Sequence, residues 1–269
     1  MRAAVLGSPI VHSLSPHLHR AAYEGLGLHD WHYEAIECDE AGLPDLIGGL
    51  GSEWAGLSLT MPLKRAVLPL LDTVSALAVE VGGANTVVFA DGARHGDNTD
   101  VHGIVQALSE AGVVPPRTAT ILGGGATAAS ALAALRGLGL GEATLVARDP
   151  ARAGETAEVA ERLGVTLTVQ TFDKIDTVLV VDLVVSTLPA GAADGFAGLL
   201  AGVPALFDVV YAPWPTVFAA TAAAAGAHVV SGLEMLLHQA VAQVELMTGH
   251  PGPVEQMRAA LDAAVAPRT

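Results

Sequence analysis

A chain of 269 residues has room for two domains of ordinary size, each with a substantial apolar core. Its formal net charge of -15 works against nucleic acid and anionic membranes as partners. The single cysteine, Cys38, excludes an intrachain disulfide and any zinc site built on two thiolates, and it fits a reducing cytoplasm. Abundant Ala, Val, Leu and Gly with only 4% aromatic residues suit small-residue helices packed on sheets, so the expected class is α/β.

The opening stretch from Met1 to Pro9 has no long apolar region before a cleavage site and reads as the first strand of the fold, with no export expected. Arg2 to Leu6 is that strand, and Ser15-Pro16 opens a helix to about Gly25, with Pro where its missing N–H costs least. Trp31 to Glu37 and Trp54 to Leu59 read as strands with a helical Leu43 to Gly49 between them, a βαβ alternation. Thr86 to Ala90 and Arg94 to Gly96 flank Asp91-Gly92, a hairpin signal that makes this first sheet mixed. A helical pattern from Val101 to Ala111 then meets Gly112 and Pro115-Pro116, where one domain hands over to the next.

Beyond that break, Thr118 to Leu122, Ala143 to Val146, Val165 to Val169, Leu183 to Ser186 and Ala205 to Val209 are apolar β-type runs spaced to admit crossover helices. They predict a doubly wound parallel sheet. The low-charge stretches Thr118 to Leu135 and Thr216 to Leu233 are rich in Ala and Gly and broken by turn residues, so they read as buried strand and helix rather than membrane spans. Two helices close the chain, Glu234 to Met247 and about Val254 to Val265, separated by Gly249 and Pro251.

Within the second sheet, Gly123-Gly124-Gly125-Ala126-Thr127-Ala128 satisfies Gly-x-Gly-x-x-Gly/Ala between a predicted strand and a predicted helix. Gly123 and Gly125 let the backbone turn and approach a pyrophosphate, Ala128 lets the helix pack closely, and the helix N-terminus supplies N–H donors. This makes the domain a Rossmann-type dinucleotide site. The next strand ends in neutral Ala147, where an NAD site places an acid, and is followed by Arg148, which suits a 2′-phosphate, so NADP is favoured. Arg152 is a second candidate for that phosphate and Asp149 a helix cap or ribose contact, while the competing reading leaves both arginines solvated.

Four polar motifs precede this loop: Ser13-Leu14-Ser15-Pro16, Thr60-Met61-Pro62-Leu63-Lys64, Gly83-Ala84-Asn85-Thr86 and Asp97-Asn98-Thr99-Asp100. Ser13 and Ser15 stand at a helix N-terminus where a carboxylate is stabilised, and Ser15 as a simple N-cap is the alternative. Lys64, Asp100 and Asn85 fall at element edges, a set able to hold and protonate a small polyhydroxylated acid. The alternatives are an exposed lysine beside Arg65 and an aspartate that caps the following helix. His12, His17 and His19 do not match a familiar metal-ligand spacing, and no metal site is expected.

Together these residues resemble the shikimate dehydrogenase family from Gly7 to about Gly249. The opening motif Gly7 to His19 is similar to the family signature whose serines, here Ser13 and Ser15, bind the substrate carboxylate. The resemblance implies a catalytic pair of Lys64 and Asp100, ring-hydroxyl ligands Thr60, Asn85 and Gln239, and a carboxylate neighbour in Tyr211 of Asp208-Val209-Val210-Tyr211-Ala212-Pro213. In Gly232-Leu233-Glu234-Met235-Leu236-Leu237-His238-Gln239 it places Gly232 and Met235 near the nicotinamide and returns the C-terminal helices to the first domain. The implied layout is a mixed substrate domain over 1–112 completed by 234–269, and an NADP domain over 113–233.

The implied activity is the NADPH-dependent, reversible reduction of 3-dehydroshikimate to shikimate, in the shikimate pathway of aromatic amino acid biosynthesis. It implies a small-molecule substrate and a cytoplasmic monomer or homodimer, with no nucleic acid or membrane partner. Departures from the family pattern are Ser58 where Asn is usual, Arg20 where Asn often follows the histidine, Ala147 where Asn often precedes the arginine, and Ser186 with Leu188 before Pro189. Two rival readings are a quinate/shikimate dehydrogenase using NAD, against which Arg148 counts, and a non-catalytic shikimate sensor, against which Lys64 and Asp100 count.

Overall fold

Strand β1 (Arg2–Gly7) is buried from Ala3 onward, as a strand covered on both sides must be. Its residues alternate with period two: Ala4 and Leu6 enter a cluster with Leu43, Ile47, Leu57 and Leu63, while Ala3 and Val5 enter another with Tyr23, Tyr33 and Met247. The computed structural model describes residues 1–266, with only the backbone of Ala151 and Arg152. The chain forms two compact units, Met1–Gly103 together with the chain from Leu236 onward, and Ile104–Met235.

The first unit holds β1, β2 (His32–Glu37), β3 (Trp54–Leu59), β4 (Thr73–Val74), β5 (Thr86–Ala90) and β6 (Ala93–Asp97), in the spatial order β2-β1-β3-β5-β6-β4. β2 and β3 run parallel to β1, whereas β5 is antiparallel to both β3 and β6, so the sheet is mixed as expected. Asp91 at φ 53° and Gly92 at φ 76° close the β5–β6 hairpin with both central residues left-handed, the geometry that Asp-Gly favours. Helices α1 (Ser15–Gly25), α2 (Leu43–Gly48), α3 (Leu63–Ala66) and α4 (Ala76–Val81) connect the strands, and α5 (Asp100–Glu110) follows the last of them. The short elements α3, β4 and α4 have no sequence expectation behind them.

The second unit holds β7 (Ala119–Leu122), α6 (Ala126–Gly137), β8 (Glu142–Val146), α7 (Gly154–Leu163), β9 (Thr166–Gln170), β10 (Leu183–Ser186), β11 (Ala205–Asp208), α8 (Val217–Ala224) and β12 (His228–Ser231). Its order β12-β11-β10-β7-β8-β9 is parallel throughout and reverses between β7 and β10, the doubly wound pattern that opens a ligand crevice at the strand C-termini. Eight consecutive residues of α6, Ala128 to Leu135, are buried, and five of them are alanines, so the helix lies close on the sheet. The sixth strand, β12, was not among the expected runs: its four residues include only Val229 and Val230 as apolar members and lead directly into a helix.

Helix α9 (Gly232–Thr248) starts two residues before the expected Glu234 and continues from the second unit into the first, and α10 (Val254–Val265) packs on α1 with Met257 and Leu261 buried. The outward crossing between units falls inside α5, between Gly103 and Ile104, ahead of the turn at Gly112. A continuous helix carries the chain across, and the turn comes after it. Among the described residues no helix is long and apolar enough to cross a membrane.

Candidate active site

In the first unit, backbone hydrogen bonds hold the chain at the C-terminal end of β3 from two sides. Leu59 N–H donates to Asn85 O at 2.7 Å, and Thr60 N–H donates to Leu6 O at 2.9 Å. The chain then turns into α3, where Lys64 O accepts the Ala84 N–H at 2.8 Å. This backbone lacing brings Lys64 and Asn85 side by side. Lys64 Nζ donates to Asp100 Oδ2 at 2.5 Å, with side chains 14% and 4% exposed, so Lys64 is no surface lysine.

Asp100 opens α5, but its carboxylate is not a cap. Its second oxygen, Oδ1, accepts Asn85 Nδ2 at 2.8 Å, while its own N–H donates to Asn98 Oδ1 at 3.1 Å. Asn98 in turn donates to Gly83 O at 2.8 Å. Asn85 Nδ2 also reaches Thr99 Oγ1 at 3.0 Å and Gln239 Oε1 at 3.5 Å, and Gln239 Nε2 donates to Leu236 O at 2.8 Å. The structure therefore gathers Lys64, Asp100, Asn85 and Gln239 from four sequence motifs into one hydrogen-bonded group.

Thr60 is half-buried with its methyl against Gly7, four residues ahead of Lys64. Ser15 is buried as the first residue of α1, whose cap position is Leu14, so the N-cap role considered for Ser15 does not hold. The local acceptor is instead Ser13 Oγ, which takes the Ser15 N–H at 3.4 Å. The Ser15 hydroxyl reaches the Tyr33 phenol, whose ionisation burial pushes far above its ordinary range.

Next to Asn85 lies a row of buried polar groups, of which the sequence marked Ser58 as a departure from the family pattern, Thr86 as the end of a motif and His19 as a residue outside any metal site, and gave Tyr33 and Gln243 no role. Tyr33 donates to Ser58 at 2.7 Å, Ser58 to Gln243 Oε1 at 2.8 Å, Gln243 Nε2 to Thr86 Oγ1 at 3.1 Å, and Thr86 to Asn85 Oδ1 at 2.8 Å. His19 stacks on Tyr33 at 3.9 Å and lies 3.3 Å from Gln243 Oε1, and burial lowers its pKa to about 3, so the ring is neutral. The available signal was Gln243 one helical turn beyond Gln239 in an otherwise apolar segment.

In the second unit, Gly123 follows β7 at φ +101°, and a Cβ there would stand 2.5 Å from Thr187 Oγ1, so only glycine fits. Gly124 O accepts Thr156 Oγ1 at 3.0 Å, which ties the loop to α7. Gly125 caps α6 without any side-chain hydrogen bond, and a Cβ on it would meet nothing within 4 Å. Gly125 thus fronts open space, Ala126 and Thr127 form the first turn of α6, and Ala128 is fully buried. Arg148 is exposed just past β8, with Ala147 buried before it, and the Arg152 side chain lies outside the described residues. A helix N-terminus without a side-chain cap, a glycine-walled approach and an exposed guanidinium fit a dinucleotide carrying a 2′-phosphate.

At the end of β11, Asp208 accepts Thr216 Oγ1 at 2.7 Å and Val210 N–H at 3.2 Å, and Thr216 caps α8 through the Ala219 N–H at 2.9 Å. This pins both ends of the loop that carries the half-buried Tyr211, whose phenol burial pushes to a higher pKa. A Cβ on Gly232 would lie 2.0 Å from Val209 O, so α9 can begin against this strand only at a glycine, and Met235 comes after it as a buried residue. Ser13, Ser15, Thr60, Lys64, Asn85, Asp100 and Gln239 belong to the first unit, and Tyr211, Gly232, Met235, Arg148 and the glycine loop to the second.

Residues 5–87 match the family model of the shikimate dehydrogenase substrate binding domain, and residues 232–261 match that of the shikimate 5'-dehydrogenase C-terminal domain. The chain is 40% identical to a shikimate dehydrogenase (NADP(+)) of Citrifermentans bemidjiense, over 97% of its own length and 94% of that relative's. It is similar to the crystal structure of Mycobacterium tuberculosis shikimate dehydrogenase, with a TM-score of 0.91 and 47% identity, covering 97% of this chain and 99% of the other. Against the Thermus thermophilus shikimate 5-dehydrogenase in complex with NADP(H) and shikimate, the TM-score is 0.87 at 34% identity, with 98% and 99% covered. On the strength of identity sustained over nearly its full length, this chain belongs to the shikimate dehydrogenase family.

Proposed function

We propose that this protein is an NADP-dependent shikimate dehydrogenase that reversibly reduces 3-dehydroshikimate to shikimate. The observation that carries this reading is the Lys64–Asp100 contact at 2.5 Å with Asn85 on the second carboxylate oxygen, in a chain 40% identical to an NADP-dependent relative. NADPH, when bound, would supply the hydride for the ring ketone carbon.

Lys64 Nζ delivers the proton to the ketone oxygen as that oxygen becomes an alcohol, and in the reverse direction it takes the proton back. Asp100 holds the Lys64 ammonium in place and anchors a neighbouring ring hydroxyl. Asn85, Gln239 and Thr60 bind the remaining hydroxyls, and Ser13 and Ser15, with Tyr211, bind the carboxylate. Orientation is the main contribution of these groups, because a ring held by its carboxylate and hydroxyls presents one ketone to one donor. The first unit serves as the substrate domain and the second as the cofactor domain, where Gly123 to Ala128 would take the pyrophosphate, Arg148 and Arg152 the 2′-phosphate, and Gly232 and Met235 the nicotinamide.

A cytoplasmic monomer or homodimer acting on a small molecule fits the acidic charge and the single cysteine. The test is nicotinamide absorbance with purified protein and shikimate or quinate, each offered with NADP or NAD. The expected result is fastest turnover with shikimate and NADP. Preference for quinate with NAD moves the assignment to that dehydrogenase, and ligand binding without turnover makes the protein a sensor.

A further inference from the structure

We propose that Gln243 is a positioning residue that acts through Thr86 to fix the amide orientation of Asn85, and with it the grip of Asn85 on the Asp100 carboxylate. The inference rests on the reading of Asn85 and Asp100 as substrate-handling groups. Its basis is a one-way chain of hydrogen bonds in which each hydroxyl has one proton to give.

The Tyr33 phenol donates to Ser58, which leaves the Ser58 proton to point at Gln243 Oε1. With its carbonyl end thus defined, Gln243 presents Nε2 to Thr86 Oγ1 at 3.1 Å and to Asn85 O at 3.2 Å. Thr86 receives that N–H, so its own proton goes to Asn85 Oδ1. The Asn85 carboxamide is left with Nδ2 facing Asp100 Oδ1. The Thr99 N–H, 2.8 Å from Asn85 Oδ1, acts in the same sense.

Reversing the Gln243 amide would set its oxygen against the Asn85 carbonyl and its N–H groups against the Ser58 proton. Tyr33, Ser58, Thr86, Asn85, Gln243 and His19 are all at most 3% exposed, so water does not replace a lost partner cheaply. Neutral His19 sets Nε2 3.3 Å from Gln243 Oε1, where the tautomer protonated on Nε2 adds a further donor, and it holds the Tyr33 ring by stacking. Ser58, which accepts from Tyr33 and has a single proton to give to Gln243, is the link that makes the chain one-way.

The test compares Thr86→Val, Thr86→Ser, Gln243→Leu and the Thr86→Val/Gln243→Leu double variant in the full-length protein. Steady-state kinetics with shikimate and NADP is paired with the side-chain amide NMR signals of Asn85. The expected outcome is a fall in kcat/KM for shikimate of about tenfold in Thr86→Val, with KM for NADP unchanged and recovery in Thr86→Ser. Gln243→Leu behaves similarly, and the double variant is no worse than the poorer single one because both break one chain. Wild-type kcat/KM in Thr86→Val, or losses that multiply in the double variant, overturns the proposal.

The Asn85 amide signals shift in Thr86→Val and return in Thr86→Ser, and this readout needs no turnover. A wild-type protein inactive on shikimate refutes the functional reading, whereas Asn85 signals unchanged in Thr86→Val refute the positioning role. Should Gln243→Leu not fold, the Thr86 pair decides.

Discussion

The two oxygens of Asp100 serve two different partners, Oδ2 the Lys64 ammonium at 2.5 Å and Oδ1 the Asn85 amide at 2.8 Å. The carboxylate therefore holds both the proposed proton donor and a proposed hydroxyl ligand at the same time. Asp100→Asn keeps the shape and removes the charge, and it leaves Lys64 without its counterion. Steady-state turnover of shikimate is expected to fall at least about a hundredfold, mostly in kcat.

Asn85 and Gln239 meet at 3.5 Å, and each also holds a firmer partner, Asp100 for one and Leu236 O for the other. In the proposed role of hydroxyl ligands they would bind ground state and transition state alike. Gln239→Ala is expected to raise KM for shikimate about tenfold with a smaller change in kcat, whereas Asn85→Ala lowers both binding and kcat because it also releases Asp100.

The proposed reading puts cofactor choice in exposed Arg148 and cofactor access in Gly125, whose missing Cβ faces open space. Arg148→Ala is expected to raise KM for NADP about tenfold, leave KM for NAD unchanged, and alter stability by less than about 0.5 kcal/mol. Gly125→Ala should fold normally, since no atom lies within 4 Å of the added carbon, and should bind NADP more weakly by isothermal titration.

His19 gives the first unit an acid-sensitive element. Its folded-state pKa is lowered to about 3 by burial, below the ordinary value of 6.5. The unfolded chain therefore binds the proton first as pH falls, and stability drops from about pH 6.5 down to about pH 3. At pH 4.5 the loss from this residue amounts to about 2–3 kcal/mol. His19→Phe keeps a ring to stack on Tyr33 and removes the titration, so its urea midpoint should change less between about pH 7.5 and about pH 4.5 than that of the wild type.

The glycine loop was legible because one local pattern, strand then glycines then helix, already specifies its geometry, and Gly123 has the positive φ that this pattern demands. Strands β1, β3, β7, β10 and β11 were legible as continuous apolar runs, since both faces are buried. Short β4 and β12 were not, because their pairing with β6 and β11 stabilises them more than their own composition does. Lys64, Asn85 and Asp100 could be nominated from separate motifs, but only the fold brings them together. The chain through Ser58 and Gln243 was invisible for the same reason: the two residues are 185 positions apart, and each alone looks like an ordinary polar residue in an apolar segment.

The role of Lys64 as proton donor is tested most directly by turnover of shikimate with NADP in Lys64→Met, set beside shikimate affinity measured by titration. Methionine preserves much of the length and the apolar stem of the side chain and removes the proton. The expected result is a fall in kcat of at least about a hundredfold with shikimate affinity changed only a few fold. A variant that retains wild-type kcat would contradict the role of Lys64 in proton transfer.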